Sequence, residues 1–153
     1  MNRNGAVIVI EDDIDDKEIL AEVFQKLNYS NEIIFFGDGQ EALDFLNKTE
    51  VIPFLILSDI NMPKLDGFGL RTKIRENEQL HTKCIPYLFL TTASTEQIVK
   101  DAYSVSVQGF FKKQSSMALI ENQVRVIMEY WKMCIAPHDF LTPNTSVDSV
   151  KEK

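Results

Sequence analysis

Cysteine is nearly absent from this chain. Cys84 and Cys134 stand far apart, and no Cys or His recurs at metal-ligand spacing. That excludes a disulfide framework and a zinc site, and the two side chains read as reduced thiols. Positive charge is also scarce, with 16 Lys and Arg against 23 Asp and Glu and a formal net charge of -7. Nucleic-acid phosphates need clustered Lys and Arg, so direct DNA binding is not expected. No apolar run approaches the ~20 residues of a membrane span, and the N-terminus lacks the basic and apolar regions of a signal peptide. No membrane contact and a cytoplasmic location are therefore expected. Internal repeats, low-complexity tracts and linkers are missing too. What is present, 153 residues with 44% hydrophobic and 25% charged, suffices for one globular core.

The chain is organised around Phe54-Leu55-Ile56-Leu57-Ser58-Asp59-Ile60-Asn61-Met62-Pro63-Lys64-Leu65-Asp66-Gly67. An apolar run of strand length delivers Asp59 to its carboxyl end, and Pro63, Asp66 and Gly67 then turn the backbone. In parallel α/β sheets, ligands bind in the crevice beyond the strand carboxyl ends, so an acid there has chemistry available to it. Taken alone, Asp59 reads more readily as a cap of the next helix, and it is the rest of the chain that overturns this.

The remaining segments alternate. Val7-Ile8-Val9-Ile10 is a β-branched run typical of a strand covered on both faces. Glu11, Asp12 and Asp13 follow it, and a helix is expected from near Asp15 with Ile19, Leu20, Val23, Phe24 and Leu27 inward. Asp15, Asp16 and Glu18 read as acids at a helix start. Glu11 and Asp12 instead sit between strand and helix, where unpaired like charges repel and call for a cation. Glu32 to Phe36 is a second strand, followed by Asp38-Gly39 and a helix. Val51 to Ser58 is the third strand, with a helix from Gly67 to about Asn77 and a charged connection over 76–84. Ile85 to Leu90 is the fourth, followed by Thr91-Thr92. Thr95 is expected to cap a fourth helix with Ile98, Val99, Ala102 and Tyr103 inward. Gly109-Phe110-Phe111 is the fifth strand, ending in Lys112 and Lys113. A last helix from about Ser116 to Met133 is expected to bury Leu119, Ile120, Val124, Ile127, Met128 and Trp131. Residues 1–136 form the expected domain, and 137–153 a polar, mobile tail too short for an output module. Five strands alternating with five helices predict an α/β fold, a doubly wound parallel sheet with helices on both faces.

The carboxyl ends of those strands then gather Glu11 and Asp12, Asp59, Thr91 or Thr92, and Lys113. Three carboxylates together suit Mg²⁺, a hard cation with oxygen ligands. One acid is left to attack a phosphoryl donor, while an amine and a hydroxyl hold the transferred oxygens.

This set resembles, in order and spacing, the receiver domain of two-component response regulators, over roughly residues 5–135. The carriers are Glu11-Asp12, Asp59-Ile60-Asn61-Met62-Pro63 with Asp66-Gly67, the strand-end threonine, and Lys113. The opening Glu-Asp-Asp-x-Asp-Asp, Leu90-Thr91-Thr92 and Tyr130-Trp131 are similar to stand-alone receivers associated with bacterial phytochromes. The resemblance implies a flavodoxin-like, CheY-like sheet of order 2-1-3-4-5. It implies Asp59 as phosphoacceptor and Asp12 as direct Mg²⁺ ligand. Glu11 would hold the metal through water, with Asp13 able to share that work, and Asn61 would bind it through its backbone carbonyl. Lys113 would contact the phosphoryl group, with Lys112 as its solvated neighbour. Thr91, favoured by spacing over Thr92, would be the switch hydroxyl and Phe110 the switch aromatic. The implied partners are a histidine kinase or phosphotransfer protein upstream and an unidentified protein target, or a second copy, downstream. The implied output face joins the fourth helix, the fifth strand and the last helix.

Three departures from the family pattern stand out. Gln114 replaces the proline whose peptide is usually cis, Ser106-Val107 replaces Gly-Ala, and Phe110 replaces the commoner tyrosine. Two other functions also compete: a degenerate receiver serving only as an interaction module, and a Mg²⁺-dependent phosphatase with an aspartyl nucleophile. The second needs an acid two residues past Asp59, where Asn61 stands. A calcium-binding loop over 13–24 fails, because Glu18 replaces the glycine and Phe24 the final glutamate.

Overall fold

A computed structural model describes residues 1–140. Five short strands, β1 (Val7–Ile10), β2 (Ile33–Phe36), β3 (Leu55–Ser58), β4 (Tyr87–Thr91) and β5 (Gly109–Lys112), form one sheet of order β2-β1-β3-β4-β5. Every pairing is parallel, and Ile10 lies opposite both Phe36 and Ser58. The helices are α1 (Ile14–Leu27), α2 (Gly39–Lys48), α3 (Gly67–Glu76), α4 (Glu78–His81), α5 (Glu96–Ser104) and α6 (Met117–Met133).

Alternate strand residues feed two cores, as a side-chain period of two requires. Val7, Val9, Leu55, Leu57, Leu88 and Leu90 pack under Leu20, Val23, Phe24, Val124, Ile127 and Met128 of α1 and α6. Ile8, Ile10, Ile56, Tyr87 and Phe89 pack under Ala42, Leu46, Leu70, Ile74 and Ala102 of α2, α3 and α5. Both faces are thus covered, which is why these strands read as continuous apolar runs. Each helix entering from a strand carboxyl end begins at a side-chain cap. Asp13, Asp38, Asp66, Thr95 and Ser116 accept from the backbone N–H of Asp16, Glu41, Gly69, Ile98 and Leu119.

Several expectations need correction. The expected charged connection over 76–84 contains α4, so there are six α-helices rather than five among the described residues. Asn77 closes α3 and caps α4, and Leu80 of α4 is buried. The expected fourth helix is accordingly α5. Tyr103 and Leu119, expected inward, are 55% and 50% exposed. Both lie one position off the inward stripe marked by the buried Ala102 in α5 and by the half-buried Ile120 with the buried Val124 and Ile127 in α6. The third strand starts at Leu55 and not at Val51, which is exposed.

At the α5–β5 junction Ser106 adopts φ 62°, the left-handed conformation that glycine takes without strain. The buried Arg71 steadies that turn, donating to the carbonyls of Val105 (3.2 Å) and Ser106 (2.7 Å). No cis peptide occurs among the described residues, so the Lys113–Gln114 peptide is trans. Pro137–Phe140 form a 3-10 turn, and Asp139 pairs with Arg3 at 2.9 Å. The rest of the expected tail, 141–153, lies outside the described residues.

Candidate functional site

The carboxyl edge of the sheet is where the polar residues interrupt the apolar runs. β1 ends at Ile10, so Glu11 is the first residue beyond it, held by its N–H to the Phe36 carbonyl at 3.0 Å. β3 ends at Ser58, and the Asp59 N–H bonds the Ile10 carbonyl at 3.0 Å. The sheet ladder thus fixes Glu11 and Asp59 side by side. Asp12 completes a cluster in which one carboxylate oxygen from each of Glu11, Asp12 and Asp59 lies within 4.8 Å of the others.

Gly67 is needed for the loop after Asp59 to close. A Cβ there would stand 2.5 Å from the Asp59 carbonyl oxygen and 2.7 Å from the Phe89 ring. The Gly67 N–H instead bonds the Ile60 carbonyl at 2.8 Å, while Asp66 caps α3. Asp59 Oδ1 accepts the Ile60 N–H at 2.7 Å, which orients the carboxylate and leaves Oδ2 toward Lys113.

Lys113 follows β5 by one residue, its N–H bonded to the Thr91 carbonyl at 2.9 Å. Its ammonium meets three acids: Glu11 Oε1, Asp16 Oδ2 at 2.8 Å and Asp59 Oδ2 at 3.2 Å. Lys112 is exposed. Thr91, at the end of β4, is buried and its hydroxyl oxygen accepts the Ala93 N–H at 3.2 Å; Thr92 is exposed. Asn61 is exposed on the loop beyond Asp59, and Asp13 spends one oxygen capping α1. Phe110 lies deeper on β5, half-buried and edge-on to Phe89 at a centroid distance of 6.1 Å.

Burial dominates the electrostatics. Glu11 is 3% exposed, and burial pushes its carboxyl up to about 8, against the pull of Lys113. Its Oε2 is buried without a hydrogen-bond partner. Burial also acts to raise Asp59, but the Thr91 hydroxyl, Glu11, Lys113 and the Ile60 N–H outweigh it and hold Asp59 below its ordinary value. Lys113 loses by burial and gains more from Asp16 and Glu11, so its ammonium is held above the ordinary lysine value. Asp16 is lowered by its hydrogen bond to Lys113. A crowded carboxylate set with one orphaned buried oxygen fits a hard divalent cation, which takes oxygen ligands.

Sequence reasoning missed the part Asp16 takes here. An acid in the first turn of a helix is explained by the helix itself. Its partner Lys113 is 97 residues away, and only the sheet order brings the two together.

A model of the response regulator receiver domain matches residues 7–125. Over 129 residues, 82% of either chain, the sequence is 30% identical to the probable methanogenesis regulatory protein FilR2 of Methanothrix harundinacea. It is 30% identical over 135 residues to response regulator Rcp1 of Synechocystis sp., covering 85% of this chain and 90% of that one. Among solved structures, the phosphorylated cyanobacterial phytochrome response regulator RcpA is similar at TM-score 0.77 and 25% identity. That match covers 86% of this chain and 96% of the other. The Mn²⁺-bound form of Rcp1 is similar at TM-score 0.73 and 29% identity, with the same coverage.

Proposed function

Since the chain belongs to the response regulator receiver domain family, we propose that it is a phosphoacceptor signalling switch, charged on Asp59 by a histidine kinase or a phosphotransfer protein. The observation that carries this reading is the Asp59 carboxylate at the sheet edge, clustered with Glu11 and Asp12 and 3.2 Å from the Lys113 ammonium. A carboxylate oxygen of Asp59 bonds to phosphorus as the donor's N–P bond breaks, and the electron pair of that bond leaves with the imidazole nitrogen. Asp59 is ready for this at neutral pH because its neighbours keep it ionised. Lys113 and the Thr91 hydroxyl take the phosphoryl oxygens, so catalysis is mainly positioning and charge neutralisation. Asp12, Asp59 and the Asn61 carbonyl, with Glu11 acting through water, would hold Mg²⁺, which would supply positive charge to offset the incoming phosphoryl oxygens. Hydrolysis by water returns the free carboxylate and inorganic phosphate, so the chain catalyses only its own charging and discharging.

The signal leaves through α5, β5 and α6, toward a protein target or a second copy. Drawing Thr91 onto the phosphoryl group opens space that Phe110 can enter, and the exposed Tyr103, Leu119, Val126 and Tyr130 on the flanking helices provide apolar contact area. This is a population shift, bounded by how much better the active packing holds the phosphoryl group.

Intact-mass measurement of wild type and Asp59→Asn, treated with a small acyl phosphate with and without Mg²⁺, tests the assignment. One added phosphoryl group on wild type alone, dependent on Mg²⁺, is expected. Equal labelling of both proteins would overturn it.

A further inference from the structure

Lys113 has more carboxyl partners than a phosphoryl-binding lysine needs, and the three are not equivalent. Glu11 has a side chain only 2% exposed, and its Oε2 already lacks a partner. Taking the ammonium away would leave the second Glu11 oxygen, Oε1, buried without a partner as well. Asp59 is the group that would itself be phosphorylated. Asp16 differs from both: its side chain is 38% exposed. It stands on the rim of a cavity of about 250 Å³ between α1 and α6, lined also by Ile19, Leu90, Ile120 and Gln123. Water can reach its carboxylate as soon as the lysine leaves. Of the three acids, Asp16 alone can hold Lys113 at 2.8 Å and be abandoned without leaving a buried polar atom unpaired.

We propose that Asp16 is a resting-state counter-ion of Lys113, displaced by the incoming phosphoryl group, so that it sets the site's affinity for that group by competing for the same ammonium. The inference rests on the phosphoacceptor reading above and adds a positioning residue to it. Asp16 touches neither donor nor metal; it acts through the lysine. The phosphoryl group must outbid a carboxylate already in place, and what remains of the Asp16 charge repels it. The contact also ties the first turn of α1 to the residue after β5, so its release on charging frees that turn from the strand.

The test is a titration of the full chain with beryllofluoride, a phosphoryl mimic, at saturating Mg²⁺, read by ¹⁹F resonance. Asp16→Asn should bind about two- to fivefold more tightly than wild type, the range of a partly exposed ion pair. The gain should shrink as salt is raised, because an exposed pair is screened. Asp16→Glu, which keeps the charge, should bind more weakly than Asp16→Asn. Asp15→Asn removes the same charge from the same helix turn without touching Lys113, and should match wild type. Unchanged or weaker binding by Asp16→Asn, or an equal gain in Asp15→Asn, would overturn the inference. If wild type binds the mimic and Asp16→Asn gains nothing, the inference alone falls. If wild type neither binds it nor is labelled on Asp59, the phosphoacceptor reading falls and takes the inference with it.

Discussion

Glu11 gives the metal-free protein a pH dependence opposite to that of an ordinary paired carboxylate. Burial raises its carboxyl from 4.5 to about 8. Below about pH 4.5 it is protonated in both folded and unfolded chains, and its full contribution to stability is present. As pH rises toward 8 the unfolded chain loses this proton while the folded chain keeps it, so stability falls. Asp59 and Asp16 are shifted downward. Their contributions are present above the ordinary carboxylate range and are lost only in acid, outside this window. At pH 7 the Glu11 penalty spans about 2.5 pH units at about 1.4 kcal/mol each, or about 3 to 4 kcal/mol. Glu11→Gln mimics the neutral side chain. In chelator at pH 7 it should be more stable than wild type by about 3 to 4 kcal/mol, some 6 to 16 °C in Tm for a domain of this size. The gap should close toward about pH 5. Urea unfolding of both proteins in chelator across that range measures it directly. A gap that stays constant or widens toward acid would refute the reasoning.

The other predictions concern separate links. Asp12→Asn should lose most of the Mg²⁺-dependent rise in melting temperature while stabilising the metal-free chain, by removing a charge crowded against Asp59; melts with and without Mg²⁺ decide it. Ser106→Gly should stabilise the fold by about 1 kcal/mol, because φ 62° strains any side chain; denaturant titration reads the change. Phe110→Ala should still be phosphorylated on Asp59 but should no longer couple that to self-association or partner binding. Sedimentation and pull-down with and without beryllofluoride test it, and a full response by the variant would make Phe110 only a core residue.

Most of the architecture was legible because it rests on local rules. Apolar runs gave the strands, a hydroxyl before an apolar stripe gave the cap at Thr95, and the alternation of elements gave the parallel sheet. What escaped was set by single contacts. The four-residue α4 buries Leu80 alone, too little to make a periodic signal. Leu119 and Tyr103 fit an apolar pattern but lie just off the buried stripe, and apolar residues are common on surfaces. At the site, strand ends predicted which residues gather on the rim, yet the partition of Lys113 among Glu11, Asp16 and Asp59 depends on side-chain reach across the sheet. Ser106 was visible as a departure from the family pattern; the Arg71 guanidinium that supports its turn was not.

The central claim is that the covalent chemistry occurs on Asp59 and nowhere else in a rim crowded with carboxylates. Borohydride reduction of the phosphorylated chain converts an aspartyl phosphate to homoserine, and peptide mapping then locates the converted residue. The account predicts conversion at Asp59 alone, abolished by chelator; conversion at Asp12, Asp16 or another acid, with Asp59 intact, would contradict it.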